Sequence, residues 1–169
     1  MNLYLLRHAV AATKGDPAFA SDSERPLTNK GIKKFRKAAR GIERLAITFD
    51  MILSSPLVRA RQTADIVAKV LNNESCVEEI AELAPESLPE QLTSALHDIN
   101  DKEHVMLVGH EPFLGKLAFF LLNGKSNSDN SILLKKGGIC RIEINAVPPT
   151  EPGQMHWLLT PKQLRLMAR

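Results

Sequence analysis

The stretch that decides the fold is Met1-Asn2-Leu3-Tyr4-Leu5-Leu6, followed at once by Arg7-His8. Its apolar run predicts a buried strand that ends in two basic side chains. In open α/β sheets, ligands bind just beyond the carboxyl ends of the strands. Arg presents a planar fork of donors that fits phosphate oxygens, and His can act as nucleophile, base or acid near neutral pH. The dipeptide alone is common in surface loops, so its meaning depends on what the rest of the chain brings beside it.

Length and composition predict one ordinary globular domain, residues 1–169. The chain is 44% hydrophobic and 24% charged, and its net charge of +3 is too mild to indicate nucleic-acid binding. The two cysteines form no CxxC pair, which favours reduced thiols in a cytoplasmic protein. No signal peptide and no apolar run near the ~20 residues of a membrane span is visible. We therefore expect a soluble, cytoplasmic protein without membrane contact; its oligomeric state is left open, with a monomer favoured.

Apolar runs alternate with amphipathic segments along the chain, which predicts an α/β fold. Thr28 is the expected N-cap of the first helix, Ser54-Ser55-Pro56 is expected to open the second, and residues 124–130 read as a polar turn. The predicted strands are Met1–Leu6, Asp50–Leu53, Cys76–Ile80, His104–Val108, Gly138–Asn145 and an antiparallel Met155–Leu159; the predicted helices are 28–46, Leu57–Leu71, Leu88–Ile99, Phe113–Leu121 and a short one from Thr160. The prediction is a mainly parallel sheet with helices on both faces.

Chemistry-bearing side chains follow three of these strands. Arg7 and His8 follow the first, Arg59 lies in the first turn of the helix after the second, and His110 follows the strand that ends at Val108. Parallel strands place their carboxyl ends at one edge of the sheet, so these side chains can meet. Two guanidiniums, two imidazoles and nearby helix N-termini make an anion site, and a tetrahedral phosphoryl group fits it best.

Three segments around these residues resemble the motifs of the histidine phosphatase (phosphoglycerate mutase-like) superfamily. They are Leu6-Arg7-His8-Ala9, the run from Ser54 to Ala64, and Val108-Gly109-His110. The segments 21–28 and 157–162 are similar to those of the small SixA-type phosphohistidine phosphatases. The resemblance implies a three-layer sandwich of the phosphoglycerate mutase type. Ala9 replaces the family's usual glycine, so we expect no glycine-only backbone conformation there.

The resemblance also implies a mechanism that needs neither a metal nor another cofactor. His8 attacks phosphorus and forms a phosphohistidine intermediate, while Arg7, Arg59 and His110 bind the phosphoryl oxygens. The proton donor is left open between Glu111, beside His110, and Asp22, in the long loop from Ala9 to Thr28.

The expected substrate is phosphohistidine on a partner protein, such as a histidine-containing phosphotransfer domain. Only 50 residues separate Arg59 from His110, which leaves little chain for a lid, and Arg25 with Asp22 is expected to contact the substrate at the rim. One alternative is a phosphatase of small monoesters, a sugar phosphate or nucleotide. Another is a module that binds phosphoprotein or nucleic acid without turnover through the basic helix from Lys30 to Arg44, although such a module would not need His8.

Overall fold

Residues 1–124 and 130–169 are described by the computed structural model, and six strands form its single sheet. The strands are β1 (Asn2–Arg7), β2 (Met51–Ser54), β3 (Val77–Glu79), β4 (His104–Gly109), β5 (Ile139–Glu143) and β6 (Gln154–Leu159). Their spatial order is β3-β2-β4-β1-β5-β6. The first four run parallel, β5 pairs antiparallel with β1, and β6 pairs antiparallel with β5. The predicted mainly parallel sheet is confirmed.

Among the residues that the structure describes, five α-helices cover the two faces of this sheet. They are α1 (Asn29–Glu43), α2 (Val58–Val70), α3 (Pro89–Ala95), α4 (Phe113–Asn123) and α5 (Pro161–Met167). Successive residues of β1 point to opposite faces. Leu3 and Leu5 therefore join one apolar cluster with α3 and α4, whereas Tyr4 and Leu6 join a second cluster with α1, α2 and α5. Burial on both sides explains why β1 is a continuous apolar run rather than an alternating one.

Local signals predicted some element ends and missed others. Thr28 caps α1 as expected, since its side chain accepts a hydrogen bond from the Gly31 N–H. The expected cap at Ser54-Ser55 with Pro56 as first helical residue is wrong, because α2 begins at Val58 after Leu57. The helix predicted over 88–99 is α-helical to Ala95 and continues as a 3₁₀ turn to Ile99. Most of the predicted polar turn, residues 125–129, lies outside the described residues.

The register of the parallel strands determines which residues lie side by side at the edge of the sheet. Arg7 on β1 lies opposite Gly109 on β4, and Ser54 on β2 lies opposite Val108. The residues after each strand therefore emerge side by side at one edge of the sheet.

In the described ranges, none of the helices has the length and apolar character to cross a membrane.

Candidate active site

The four side chains predicted to meet do so in the structure. Arg7, His8, Arg59 and His110 line one cavity of about 650 Å³ at the carboxyl edge of the parallel strands. The rings of His8 and His110 are 5.1 Å apart between centroids. Asp22, Arg25 and Glu111, the other predicted site residues, also line this cavity, together with Ala11, Ala12, Thr13, Lys14, Pro85, Glu86, Pro112 and Lys136.

His8 is buried and is held as a neutral imidazole of defined tautomer. Its Nδ1 lies 2.7 Å from the Ala9 carbonyl oxygen. A carbonyl can only accept, so Nδ1 carries the proton and Nε2 keeps its lone pair. Burial, aided by the charges of Arg59 and Arg7, lowers the pKa of His8 to about 3 against the opposing hydrogen bond to Ala9. At neutral pH Nε2 is therefore available as a nucleophile.

Ala9, which replaces the family's usual glycine, has no left-handed backbone conformation. Residues other than glycine with positive φ in the described chain are Ala46 and Asn72. The Ala9 N–H donates to the Thr63 hydroxyl at 3.1 Å, and its carbonyl accepts from His8. The expectation that this position needs no glycine is confirmed, and its peptide groups orient the His8 ring.

Arg7 is fixed by a segment that precedes β5. Its Nη1 donates to the Leu134 carbonyl at 2.7 Å. The Gly137 N–H contacts the carbonyls of both Arg7 and His8, at 3.0 and 3.1 Å. Gly137 has φ of +76°, a left-handed conformation that suits glycine. The segment 134–138 thus acts as a backbone clamp on the Arg7-His8 pair.

Arg59 is buried and binds the long loop through Asp22. Its Nη1 donates to the Asp22 carbonyl at 2.7 Å and its Nη2 to Asp22 Oδ2 at 2.9 Å. Arg25 binds the other carboxylate oxygen, with its Nη2 at 2.8 Å and its Nε at 2.9 Å. Partial burial acts to raise the pKa of Asp22, but the hydrogen bond from Arg25 and the charge of Arg59 outweigh it and lower that pKa. Asp22 is therefore an ionised acceptor that joins two arginines.

His110 is buried and is oriented by Ser55, the residue that follows β2. Its Nε2 lies 2.8 Å from Ser55 Oγ, and Oγ also accepts a long hydrogen bond, 3.4 Å, from the Leu57 N–H. Burial, followed by the neighbouring His8 and Arg59, lowers the pKa of His110 to about 3. If the Ser55 hydroxyl donates to Nε2, the neutral ring carries its proton on Nδ1 and can donate it to an anion.

Unpartnered nitrogens are concentrated in this site. Within the ranges that the structure describes, three buried side-chain nitrogens have no hydrogen-bond partner: Arg7 Nε, Arg59 Nε and His110 Nδ1. Buried polar groups are almost always paired. All three nitrogens belong to residues predicted to bind phosphoryl oxygens. An oxyanion in the cavity is the simplest partner that would satisfy them.

The two predicted proton-donor candidates are both engaged as acceptors. Glu111 Oε1 accepts from the Leu134 N–H at 2.8 Å, and Oε2 accepts from the Gly115 N–H at 3.2 Å. Asp22 is held by Arg59 and Arg25. Protonation of either carboxylate would weaken contacts that need its charge.

Glu86 is a cavity residue that sequence reasoning missed. It is exposed and acts electrostatically on Arg59, and it forms no hydrogen bond or ion pair with the described residues.

Sequence reasoning also missed Lys136, whose charge acts on His8, and the roles of Ser55 and Leu134. The Gly137-Gly138 pair marks a turn in the sequence, but nothing local connects that turn to Arg7. Side chains suited to metal binding are not grouped: among residues 1–124 and 130–169, no three or more His, Cys, Asp or Glu lie close enough to hold an ion.

Comparison with known proteins agrees with this geometry. The family model for the histidine phosphatase superfamily (branch 1) matches residues 3–84. A Picosynechococcus protein of uncharacterized function is 34% identical, over 97% of this chain and 99% of its own. Phosphohistidine phosphatase SixA of Escherichia coli K12 is 26% identical over 98% of each chain.

Two phosphatases of known structure have a similar fold. The protein histidine phosphatase SixA in complex with tungstate matches with a TM-score of 0.83 and 26% identity, over 97% of this chain and 99% of that one. The α-ribazole phosphatase of Shigella flexneri matches with a TM-score of 0.75 over 95% of this chain and 97% of that one. Its identity of 18% makes it a likeness of fold alone.

Proposed function

This chain belongs to the histidine phosphatase superfamily, and on that premise we propose that it hydrolyses phosphohistidine on a partner protein through a phosphohistidine intermediate on His8. The observation that carries the proposal is a neutral His8 with a free Nε2 lone pair, in a cavity lined by three further residues that each keep one buried nitrogen without a partner among the described residues. A nucleophile and a set of donors for oxygen are what two-step phosphoryl transfer requires.

In the first step, His8 Nε2 attacks phosphorus and the bond from phosphorus to the substrate's imidazole nitrogen breaks. Arg7, Arg59 and His110 hold the equatorial oxygens and stabilise the charge that builds in the transition state. In the second step, water attacks the phosphorus on His8, the P–N bond breaks, and inorganic phosphate leaves. The two guanidiniums supply the positive charge at the phosphoryl group, and the proposed chemistry proceeds without a metal.

Whether the leaving group needs a proton donor depends on the substrate. The imidazole of phosphohistidine can already carry a proton when it leaves, so it needs little help. An alkoxide or phenoxide leaving group needs an acid, and we assign that role to Glu86. Glu86 supports this assignment because it lines the cavity without a partner among the described residues, whereas Glu111 and Asp22 are bound through their oxygens.

A protein substrate is favoured by what surrounds the cavity. Between Arg59 and His110 the chain forms the rest of α2, β3, α3, β4 and three short 3₁₀ turns, and no long insertion is available there to enclose a small ligand. The full-length similarity to a protein named phosphohistidine phosphatase points the same way. We propose a phosphorylated histidine-containing phosphotransfer domain as the partner, met by a monomeric, single-domain enzyme in the cytoplasm.

The second candidate is a phosphatase of small monoesters, a sugar phosphate or nucleotide. Its support is the likeness of fold to α-ribazole phosphatases. The binding module without turnover has weaker support, because the seven basic side chains from Lys30 to Arg44 are exposed on the outer side of α1, as a solvated helix face would be.

Direct comparison of kcat/KM separates the candidates. The purified protein is given a phosphotransfer domain phosphorylated on histidine and, in parallel, a panel of sugar phosphates, nucleotides and p-nitrophenyl phosphate. We expect kcat/KM for the phosphoprotein to exceed that of every small ester by about 100-fold or more, because a protein substrate can make further contacts outside the cavity and a small ester cannot. A higher kcat/KM for a small ester would establish the second candidate, and binding of the phosphoprotein without hydrolysis would establish the module.

A further inference from the structure

A groove of about 430 Å³ adjoins the active-site cavity. The two spaces share Pro85, Glu86 and Pro112 as walls. The groove therefore begins at the cavity's own wall and leads away from His8 toward the start of α3 and α4. Anything larger than a phosphoryl group that enters the cavity from this side must pass along it.

Five of the nine residues that line the groove are apolar: Pro85, Leu88, Pro89, Pro112 and Phe113. Leu88 is 57% exposed. Over the described ranges the exposed large hydrophobic residues are Val10, Leu88, Leu133 and Leu166, and of these Leu88 lines the groove. A single exposed leucine has no meaning by itself. Leu88 is significant because it lies on the wall of a groove that opens from the candidate active site.

Charged side chains limit what can occupy the groove. Glu86 and Glu90 line it on the α3 side and Lys116 on the α4 side. Two carboxylates against one ammonium disfavour a polyanion such as nucleic acid or an anionic membrane surface. A polypeptide that carries an apolar side chain, with a neutral or basic residue beside it, suits both the apolar walls and the charge.

We infer that this groove binds an apolar side chain of the phosphorylated partner protein, close in space to its phosphohistidine. The inference rests on the proposed function, because a phosphoryl group at His8 places the leaving imidazole at the cavity mouth. The protein that carries that imidazole then extends over Pro85 and Pro112 to Leu88. Burial of Leu88 by the partner contributes to binding of the protein substrate and contributes nothing to a small one.

The substitution Leu88→Ser tests this contact without loss of the fold. Leu88 is the N-cap residue of α3, with extended backbone and no side-chain cap. Serine is a preferred N-cap, so the variant gives α3 a better start while it removes the apolar side chain. The matched control is Leu166→Ser, since Leu166 is 50% exposed on α5 and lines neither space.

Three substrates make the experiment specific: a phosphotransfer domain phosphorylated on histidine, the free amino acid phosphohistidine, and p-nitrophenyl phosphate. We expect Leu88→Ser to lower kcat/KM about tenfold for the phosphoprotein, mainly through KM, and less than twofold for both small substrates. Leu88→Met, which keeps an apolar side chain, should restore at least half of the loss. Leu166→Ser should leave all three values within twofold of the original protein.

Two results would overturn the inference while the proposed function stands. One is unchanged kcat/KM of Leu88→Ser for the phosphoprotein. The other is an equal loss for all three substrates, which would mean that Leu88 shapes the cavity rather than contacts a partner. Failure of the unmodified protein to hydrolyse the phosphoprotein would instead contradict the proposed function, and the groove inference with it. Activity on the small substrates reports that each variant is folded.

Discussion

The Glu111→Gln substitution separates a positioning role for Glu111 from a role as proton donor. Glu111 accepts the Leu134 N–H at 2.8 Å and the Gly115 N–H at 3.2 Å. The Leu134 carbonyl in turn accepts from Arg7 Nη1 at 2.7 Å. The carboxylate therefore fixes the start of α4 and the segment whose backbone holds Arg7. Glutamine has the same shape but one acceptor oxygen, so its amide N–H₂ must face one of the two backbone N–H groups.

The size of the effect follows from these contacts. A hydrogen bond to a charged group contributes about 1.5–3 kcal/mol, and the variant loses one such bond and weakens the other to a neutral one. We expect the free energy of unfolding to fall by about 2 kcal/mol, which for a chain of this length lowers Tm by about 4–8 °C. Arg7 loses part of its support, so kcat/KM should fall about 10- to 30-fold for phosphohistidine and for p-nitrophenyl phosphate alike.

The assay is thermal unfolding together with kcat/KM on both substrates. Glu78→Gln is the matched control, because Glu78 is an exposed residue of β3 and the charge change is the same. A variant with unchanged Tm that keeps its activity on phosphohistidine and loses it on p-nitrophenyl phosphate would refute the positioning role. That outcome would assign the proton to Glu111.

Three further predictions concern the neighbours of the phosphoryl site. Ser55→Ala removes the 2.8 Å contact to His110, so the ring loses its fixed orientation and tautomer; we expect kcat/KM to fall about tenfold and stability by about 1 kcal/mol in thermal unfolding. Glu86→Gln should lower kcat for p-nitrophenyl phosphate about 10- to 100-fold and leave that for phosphohistidine within twofold. Denaturant unfolding should show stability falling as pH drops from about 6.5 toward 3, because the pKa values of His8 and His110 are lowered from 6.5 to about 3.

The sign of the pH effect follows from proton uptake. Between those pH values the unfolded chain binds protons at both imidazoles and the folded chain does not, so acid favours unfolding. Each histidine contributes up to about 1.4 kcal/mol per pH unit. A His8→Asn variant should show a shallower decline of stability with falling pH. Equal slopes for the variant and the original protein would contradict proton uptake by His8 as a cause of the decline.

The control for Ser55→Ala is Ser55→Thr, which keeps a hydroxyl and should retain more activity than Ser55→Ala.

Local patterns in the sequence were sufficient for the sheet and for the four central side chains. Apolar runs located β1, β2 and β4, and the rule that parallel strands end at one edge placed Arg7, Arg59 and His110 together. Helix boundaries were predicted less accurately where a residue pattern fits more than one structural role. Ser54-Ser55-Pro56 reads as a helix cap, but the Ser55 hydroxyl contacts a ring 55 residues away, and no local pattern can separate those two uses of a serine.

The surroundings of the phosphate site could not be predicted for the same reason. Glu111 stands beside His110 in sequence and so suggests catalysis, yet one of its hydrogen bonds goes to Leu134, 23 residues on. Glu86 lies in an irregular segment of exposed and half-buried residues, which have no periodicity to place them. Leu134 and Gly137 hold Arg7 and His8 through backbone groups, and backbone contacts depend on the path of the chain rather than on side-chain identity.

The claim that His8 becomes phosphorylated is tested most directly by trapping the intermediate. The protein is mixed for milliseconds with a phosphotransfer domain that carries ³²P on histidine, then quenched in alkali and digested, and the labelled peptide is sequenced by mass spectrometry. We predict acid-labile label on His8, absent from His8→Ala, which should also release no phosphate. Release of phosphate by His8→Ala at the normal rate, or label on any other residue, would contradict the proposed mechanism.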